Sequence, residues 1–66
     1  PVEPLTKRER EIVALIVEGL TNEQIARQLF LSPLTVNTHR KNMLSKLGCP
    51  NTAALVRYVI ERRLLE

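Results

Sequence analysis

The sequence predicts an all-α fold: a four-helix bundle that contains a helix-turn-helix. Apolar residues recur at helical spacing in four segments, and each segment follows a Thr, Ser or Asn suited to a helix N-cap. Two of these N-caps, Thr6 and Thr21, are followed three residues later by Glu9 and Gln24, which is the spacing of a capping box. Because the chain has 66 residues, it makes one small domain with a single compact core.

The first two predicted helices are short and lie close together in the sequence. Helix 1 opens after Thr6, ends near Gly19 and carries a set of apolar residues at roughly helical spacing: Ile12, Val13, Leu15, Ile16 and Leu20. Helix 2 opens after Thr21, and its apolar stripe consists of Ile25, Ala26 and Leu29. A very short turn separates it from the next N-cap, Ser32. Helices joined in this way cross at a steep angle, as in a helix-turn-helix.

The third predicted helix spans residues 33–47, between Ser32 as N-cap and Gly48 as stop signal, with Pro33 at the first helical position. One side of its helical wheel faces a core and gathers Val36, Met43, Leu44 and Leu47. The other side contains no acid and gathers Asn37, Thr38, Lys41, Asn42 and Ser45. Amide, hydroxyl and ammonium groups are suited to base edges and phosphates, so we predict a DNA recognition helix.

The last predicted helix spans residues 51–64 and is apolar nearly all round. One stripe consists of Leu55, Tyr58 and Val59, and a second stripe, rotated away from it, consists of Ala53, Val56 and Ile60. A small domain rarely buries both sides of a terminal helix, so the second stripe is a candidate surface for pairing two subunits. The alternative is that Val56 and Ile60 pack at the edge of the core, and the residues alone leave both interpretations open.

Charge is distributed unevenly along the chain, whose formal net charge is +3. Residues 24–60 contain no Asp or Glu, and we call this segment the acid-free zone. It holds five basic residues: Arg27, Arg40, Lys41, Lys46 and Arg57. Such a zone is the electrostatic pattern expected for a protein that binds a polyanion, although a solvated surface could also lack acids.

The composition argues against several other classes of protein. One His, one Cys and no Asp leave no metal cluster and no nucleophile–base pair, so we expect neither an enzyme nor a cofactor. No apolar run approaches the roughly 20 residues that span a bilayer, and a lone Cys49 is typical of a reducing cytoplasm. Residues 1–4 have the composition of a linker remnant, so we expect the domain to span residues 5–66.

Nearly the whole chain carries a set of motifs in register and without a gap. They are Leu5-Thr6-Lys7-Arg8-Glu9, Gly19-Leu20-Thr21-Asn22, Ile25-Ala26, Leu29, Ser32, Thr35-Val36, His39, Lys46-Leu47-Gly48 and Ala54-Leu55-Val56-Arg57-Tyr58. With these motifs the chain resembles the LuxR-type (GerE-like) helix-turn-helix domain found at the C-termini of NarL/FixJ-like response regulators. Glu23 and Asn37 depart from the usual pattern by standing where Lys is frequent, and Thr52 stands where Arg is frequent.

The resemblance implies that the third helix reads the major groove and that the fourth helix pairs two subunits. Base contacts carry over to Asn37, Thr38 and Lys41. Phosphate contacts carry over to Thr21, Asn22, Thr35, His39 and Arg40, and we add Lys46 as a further candidate phosphate contact. From its position beside the apolar side of the helix, His39 is also expected to be structural. An Arg at position 40 can lay its stem along the core and extend its head to a phosphate.

We therefore predict sequence-specific binding of double-stranded DNA by the C-terminal effector domain of a bacterial transcriptional regulator, a two-component response regulator of the cytoplasm. The expected partners are duplex DNA, a second copy of the chain on DNA, an N-terminal receiver or ligand-sensing domain outside this sequence, and RNA polymerase. The alternative is a helical docking module whose basic face recognises an acidic surface on another protein. The acid-free zone and the run from Thr35 to Lys41 favour DNA.

Overall fold

Four α-helices form within residues 5–65, which are the residues that the computed structural model describes. They are α1 (Lys7–Val17), α2 (Asn22–Leu29), α3 (Pro33–Leu47) and α4 (Thr52–Glu61), and the described residues contain no strand. The predicted all-α fold is confirmed. The expected linker remnant, residues 1–4, lies outside the described residues. None of the described helices is long and apolar enough to cross a bilayer.

Each helix begins at the N-cap that the sequence predicts. The four N-cap residues are Thr6, Thr21, Ser32 and Asn51. In every case the side-chain oxygen accepts a hydrogen bond from the backbone N–H three residues later. Both predicted capping boxes form, because the side chains of Glu9 and Gln24 accept from the backbone N–H of their N-caps at 3.0 and 2.8 Å. Local hydrogen bonding therefore sets every helix start.

The helix ends share one hydrogen-bonding pattern, in which a backbone N–H donates to the carbonyl five residues earlier. The four bonds measure between 2.8 and 3.1 Å and join Leu20 to Leu15, Leu31 to Ala26, Cys49 to Leu44, and Leu64 to Val59. The residue before each donor is left-handed, and these residues are Gly19, Phe30, Gly48 and Arg63. Two of the four caps therefore place a residue with a Cβ in a conformation that normally favours glycine.

Helix α4 is shorter than predicted, because it ends at Glu61 and not near residue 64. Arg63 has φ 54° and reverses the chain direction, which returns Leu64 to the edge of the core. The prediction was wrong here because a left-handed cap is normally marked by a glycine, and an arginine occupies that position.

The core lies between all four helices, and α3 contacts each of the other three. Its buried residues are Leu5, Ile12, Val13, Leu15, Ile16, Ile25, Ala26, Val36, Met43, Leu55 and Val59. Val36 and Met43 of α3 are fully buried, while Leu44 and Leu47 are partly buried against the same cluster. These contacts fix the rotation of α3 about its own axis.

An ion pair ties the last turn of α3 to the first turn of α1. The Lys46 ammonium lies 2.7 Å from Oε1 of Glu9, and the same oxygen accepts the backbone N–H of Thr6 at 3.0 Å. Glu9 is only 3% exposed, whereas the Lys46 side chain is 40% exposed. Desolvation by burial acts to raise the pKa of the Glu9 carboxyl, but the hydrogen bonds from Lys46 and Thr6 and the charge of Lys46 outweigh it. The pKa of Glu9 therefore lies below its ordinary value of 4.5.

Replacing Phe30 with Gly should stabilise the domain by about 0.5–1 kcal/mol. A left-handed residue with a Cβ costs about 1–2 kcal/mol, and the greater freedom of glycine in the unfolded chain offsets about half of that gain. Phe30 is 94% exposed, so little burial is lost. Gly48→Ala is the matched control and should destabilise, although no atom lies within 4 Å of an added Cβ. Urea unfolding followed by circular dichroism measures the stability of both variants. A Phe30→Gly protein less stable than wild type would show that the left-handed conformation of Phe30 does not destabilise the domain.

Replacing Glu9 with Gln should destabilise the domain at pH 7 by about 1–3 kcal/mol, because Gln can accept the Thr6 N–H but carries no charge for Lys46. A carboxylate with a lowered folded-state pKa stabilises fully above its ordinary value of 4.5, and the contribution is lost as pH falls through the lowered pKa. The stability difference between wild type and the Glu9→Gln variant should therefore shrink as the pH falls below 4.5.

The control for Glu9→Gln is Glu11→Gln, which removes an exposed carboxylate paired with Arg8 at 3.3 Å. Exposed pairs contribute about 0–1 kcal/mol, so this variant should differ little from wild type. Unfolding free energies of wild type and both variants, measured between pH 3 and pH 7, test this pH dependence. A Glu9→Gln deficit of equal size at both ends of that range would mean that the ion pair does not stabilise the fold.

Candidate nucleic-acid interface

The outward side of α3 brings the three predicted base-contact residues onto one face. Thr38 and Lys41 are exposed and Asn37 is partly exposed, while Val36 and Met43 occupy the opposite, buried side. Lys41 makes no ion pair or hydrogen bond with any residue in the described part of the chain. An ammonium group on an exposed, acid-free helix face is available to an external acceptor or anion.

The hydroxyl of Thr38 is oriented by a hydrogen bond within α3, so it faces a ligand as an acceptor. This hydroxyl donates to the backbone carbonyl of Leu34, one turn earlier, at 3.0 Å. That bond uses the only hydroxyl proton, so the oxygen can act toward a ligand only as an acceptor, through its two lone pairs. An acceptor suits the exocyclic amino groups that adenine and cytosine display in the major groove.

Three of the predicted phosphate-contact residues lie at the starts of α2 and α3. The Thr21 hydroxyl accepts the Gln24 N–H at 3.2 Å, and the Thr35 hydroxyl lies 2.9 Å from that of Ser32. Asn22 is partly buried, and its Oδ1 has no hydrogen-bond partner among residues 5–65. These polar groups surround two helix N-termini, where the backbone dipoles favour negative charge.

His39 and Arg40 are both partly buried beside the exposed face, as their positions on the wheel indicate. The Nε atom of Arg40 is buried without a hydrogen-bond partner in the described residues. An arginine placed in this way packs its stem on the protein and carries its terminal nitrogens to the rim. The geometry is compatible with the predicted phosphate clamp.

Lys46, the sixth predicted phosphate-contact residue, is engaged within the protein by the ion pair with Glu9. Its charge is thus partly neutralised by a carboxylate 37 positions away in the sequence. The capping-box spacing predicts only the local hydrogen bonds between Glu9 and Thr6. A single sequence contains no signal for the contact between Glu9 and Lys46. Within residues 5–65 no cluster of His, Cys, Asp or Glu could hold a metal ion.

The second apolar stripe of α4 divides between the surface and the core. Ile60 is 57% exposed and Ala53 is also exposed, whereas Val56 is partly buried and packs against the core cluster. Arg57 and Glu61 form an exposed ion pair of 3.5 Å on the same helix. The exposed part of the stripe is therefore Ala53 and Ile60, with Val56 at its inner border.

Comparison with known proteins places these features in a family. Residues 3–59 match the GerE family, described as bacterial regulatory proteins of the luxR family. The chain is 46% identical over 63 residues to the transcriptional regulatory protein MctR of Rhizobium johnstonii, which covers 96% of this chain and 29% of that protein. It is 42% identical over 66 residues to the oxygen regulatory protein NreC of Staphylococcus aureus strain JH9, covering 100% of this chain and 30% of that protein. The chain thus spans less than a third of the curated relatives it matches, and over that span it belongs to the luxR family of bacterial regulatory proteins.

Proposed function

We propose that this chain is the DNA-binding effector domain of a bacterial transcriptional regulator and that it binds a specific duplex sequence through α3. The observation that carries the proposal is the exposed, acid-free face of α3, on which Lys41 has no partner within residues 5–65. The buried side of the same helix prevents that face from turning inward. Membership of the luxR family supports the proposal independently.

In the proposed complex α3 lies in the major groove. Its 15 residues make a rod about 22 Å long, and the groove of B-DNA, about 12 Å wide, admits a helix. Lys41 donates to the N7 and O6 acceptors of guanine, Asn37 bonds adenine through its amide, and Thr38 accepts from an amino group. These three residues supply sequence preference.

Phosphate contacts on either side of the groove orient the domain without reading sequence. We assign them to the N-terminal ends of α2 and α3 and to the residues beside the base-reading face. The residues are Thr21, Asn22, Thr35, His39 and Arg40. Lys46 contributes less than a free lysine, because its ammonium already lies 2.7 Å from the Glu9 carboxylate.

The relatives suggest what surrounds this domain. One is named a transcriptional regulatory protein and another an oxygen regulatory protein, and the chain covers 29% and 30% of their lengths. We infer that an N-terminal receiver or ligand-sensing domain completes a two-component response regulator of the bacterial cytoplasm. RNA polymerase is the partner through which such a regulator would act on transcription.

The test is binding to duplexes selected from a random pool and to unselected duplexes across a salt series. Arg40, Lys41 and the partly neutralised Lys46 bring about 2–3 positive charges to the DNA, so log K should fall with log salt at a slope of about −2 to −3. Lys41→Ala should weaken binding to the selected duplex more than to random DNA, by about 1–3 kcal/mol. Arg40→Ala should weaken binding to both about equally, since it removes a phosphate contact.

The matched control for these variants is Lys7→Ala, which removes an exposed charge from α1 and not from α3. It should keep the selectivity of wild type. An affinity that does not change between low and moderate salt would contradict DNA binding and would favour the docking module. Equal losses from Lys41→Ala and Lys7→Ala would remove Lys41 from the base-reading set.

We further propose that two copies pair on DNA through α4, with Ala53 and Ile60 at the contact and Val56 at its border. Burying one large apolar side chain contributes about 1.5–3 kcal/mol, whereas association costs about 4–15 kcal/mol. Free subunits should therefore remain mainly monomeric. Adjacent half-sites raise the effective concentration, and a two-fold pair requires an inverted repeat with centres about one helical turn apart.

Ala53→Glu combined with Ile60→Glu should abolish cooperative binding to an inverted repeat while preserving affinity for a single half-site. Both residues are exposed, so the change introduces charge repulsion at the contact and spares the core. Val56 is left intact because it packs against the core cluster. The single half-site duplex controls for the added negative charge, and far-UV circular dichroism controls for folding. Cooperative binding by this double variant would place the pairing surface elsewhere.

A further inference from the structure

Leu34 is a large apolar side chain that is 75% exposed, although it belongs to the helix proposed to enter the groove. No role for it follows from the core pattern of the sequence. At about 100° per residue, Leu34 lies on the side of the wheel opposite Val36 and Met43, which are fully buried. It therefore cannot reach the core, and its exposure does not result from packing at the edge of the core.

Leu34 lies at the centre of the face that carries the base-reading residues. Thr38 follows it by one turn and Lys41 by two turns, and the Thr38 hydroxyl donates to the Leu34 carbonyl. On the helical wheel, Thr38 and Asn37 lie on opposite sides of Leu34. An apolar side chain among an amide, a hydroxyl and an ammonium gains little from folding, whereas a ligand that presents an apolar group to this face would bury it.

We propose that Leu34 contacts the C5 methyl group of a thymine in each half-site and so determines one base of the preferred sequence. The proposal rests on the proposed function, in which α3 occupies the major groove. The thymine methyl is the apolar group among the base-edge features of that groove, whose other groups are hydrogen-bond donors and acceptors. Leu34 lies in the first turn of α3, and the N-terminal residues of a recognition helix are those that contact base edges.

The charge of the neighbouring residues favours DNA over a protein as the occupant of this surface. An apolar pocket of a protein that covered Leu34 would also remove water from Lys41, which has no carboxylate partner within residues 5–65. Desolvating an unpaired ammonium is costly. A DNA groove instead provides acceptors and phosphates for the ammonium beside a methyl group for the leucine.

The expected effect is small but specific. Removing one buried methyl group costs about 0.8 kcal/mol, which corresponds to about a fourfold loss of affinity. Uracil differs from thymine only in lacking this methyl group. Exchanging single thymines of the duplex for uracil therefore probes the contact without altering hydrogen bonding.

The experiment measures the affinity of wild type for the selected half-site with each thymine replaced in turn by uracil. One position should show about a fourfold loss. Leu34→Ala and Leu34→Gln should bind the thymine and uracil forms of that position equally, because neither variant retains the methyl contact. The matched control is Leu65→Ala, which truncates another exposed leucine outside α3 and should reproduce the wild-type loss.

Two failures of this experiment are distinguishable. A wild-type domain that selects no duplex overturns both the thymine contact and the proposed function. Selective, salt-sensitive binding in which no uracil exchange is coupled to Leu34 overturns the thymine contact alone, and so does a selected half-site without thymine. Circular dichroism shows whether each Leu34 variant is folded. If one variant is not folded, the other still measures the coupling between Leu34 and the thymine methyl group.

Discussion

The position of α3 against the three other helices is the constraint on which the rest of the structure depends. Val36 and Met43 are fully buried, and the ion pair between Glu9 and Lys46 adds a tie at the C-terminal end of the helix. With one side buried along its length, α3 can neither rotate nor slide without exposing apolar surface. The direction of its outward side chains is thereby fixed before any ligand binds, and such preorganisation is what base recognition requires.

Capping supplies the second constraint, because the connections between helices are short and each contains a residue in the left-handed region. The bond from Leu31 to Ala26, at 2.8 Å, closes the turn between α2 and α3. Phe30 adopts φ 58° in that turn although its side chain is almost fully exposed. Packing of Leu29 and Leu31 on either side holds the turn closed, so tertiary contacts outweigh the local cost of the conformation.

Local signals explain which features could be predicted from the sequence. Ser32 with Pro33 at one end and Gly48 at the other predicted both bounds of α3 correctly, because caps act within a few residues. The end of α4 was missed, since Arg63 does not mark a left-handed cap. The partner of Glu9 could not be predicted because it is 37 positions away. The face carrying Asn37 and Lys41 is located by periodicity, but contacts with DNA stay predictions, since periodicity specifies a direction and not a ligand.

The small area of the proposed pairing surface on α4 makes pairing depend on the DNA that α3 is proposed to bind. Leu55 and Val59 occupy the inner side of α4, and the exposed apolar residues of this helix are Ala53 and Ile60. We expect that apolar area to be too small to hold two free subunits together. In the proposed complex DNA is therefore the template for assembly, because it supplies the effective concentration that the protein contact lacks. Specificity then depends on two independent quantities, the bases read by each α3 and the spacing between half-sites. A stronger α4 contact would pair subunits away from DNA and lower the dependence on spacing, so a weak contact favours discrimination.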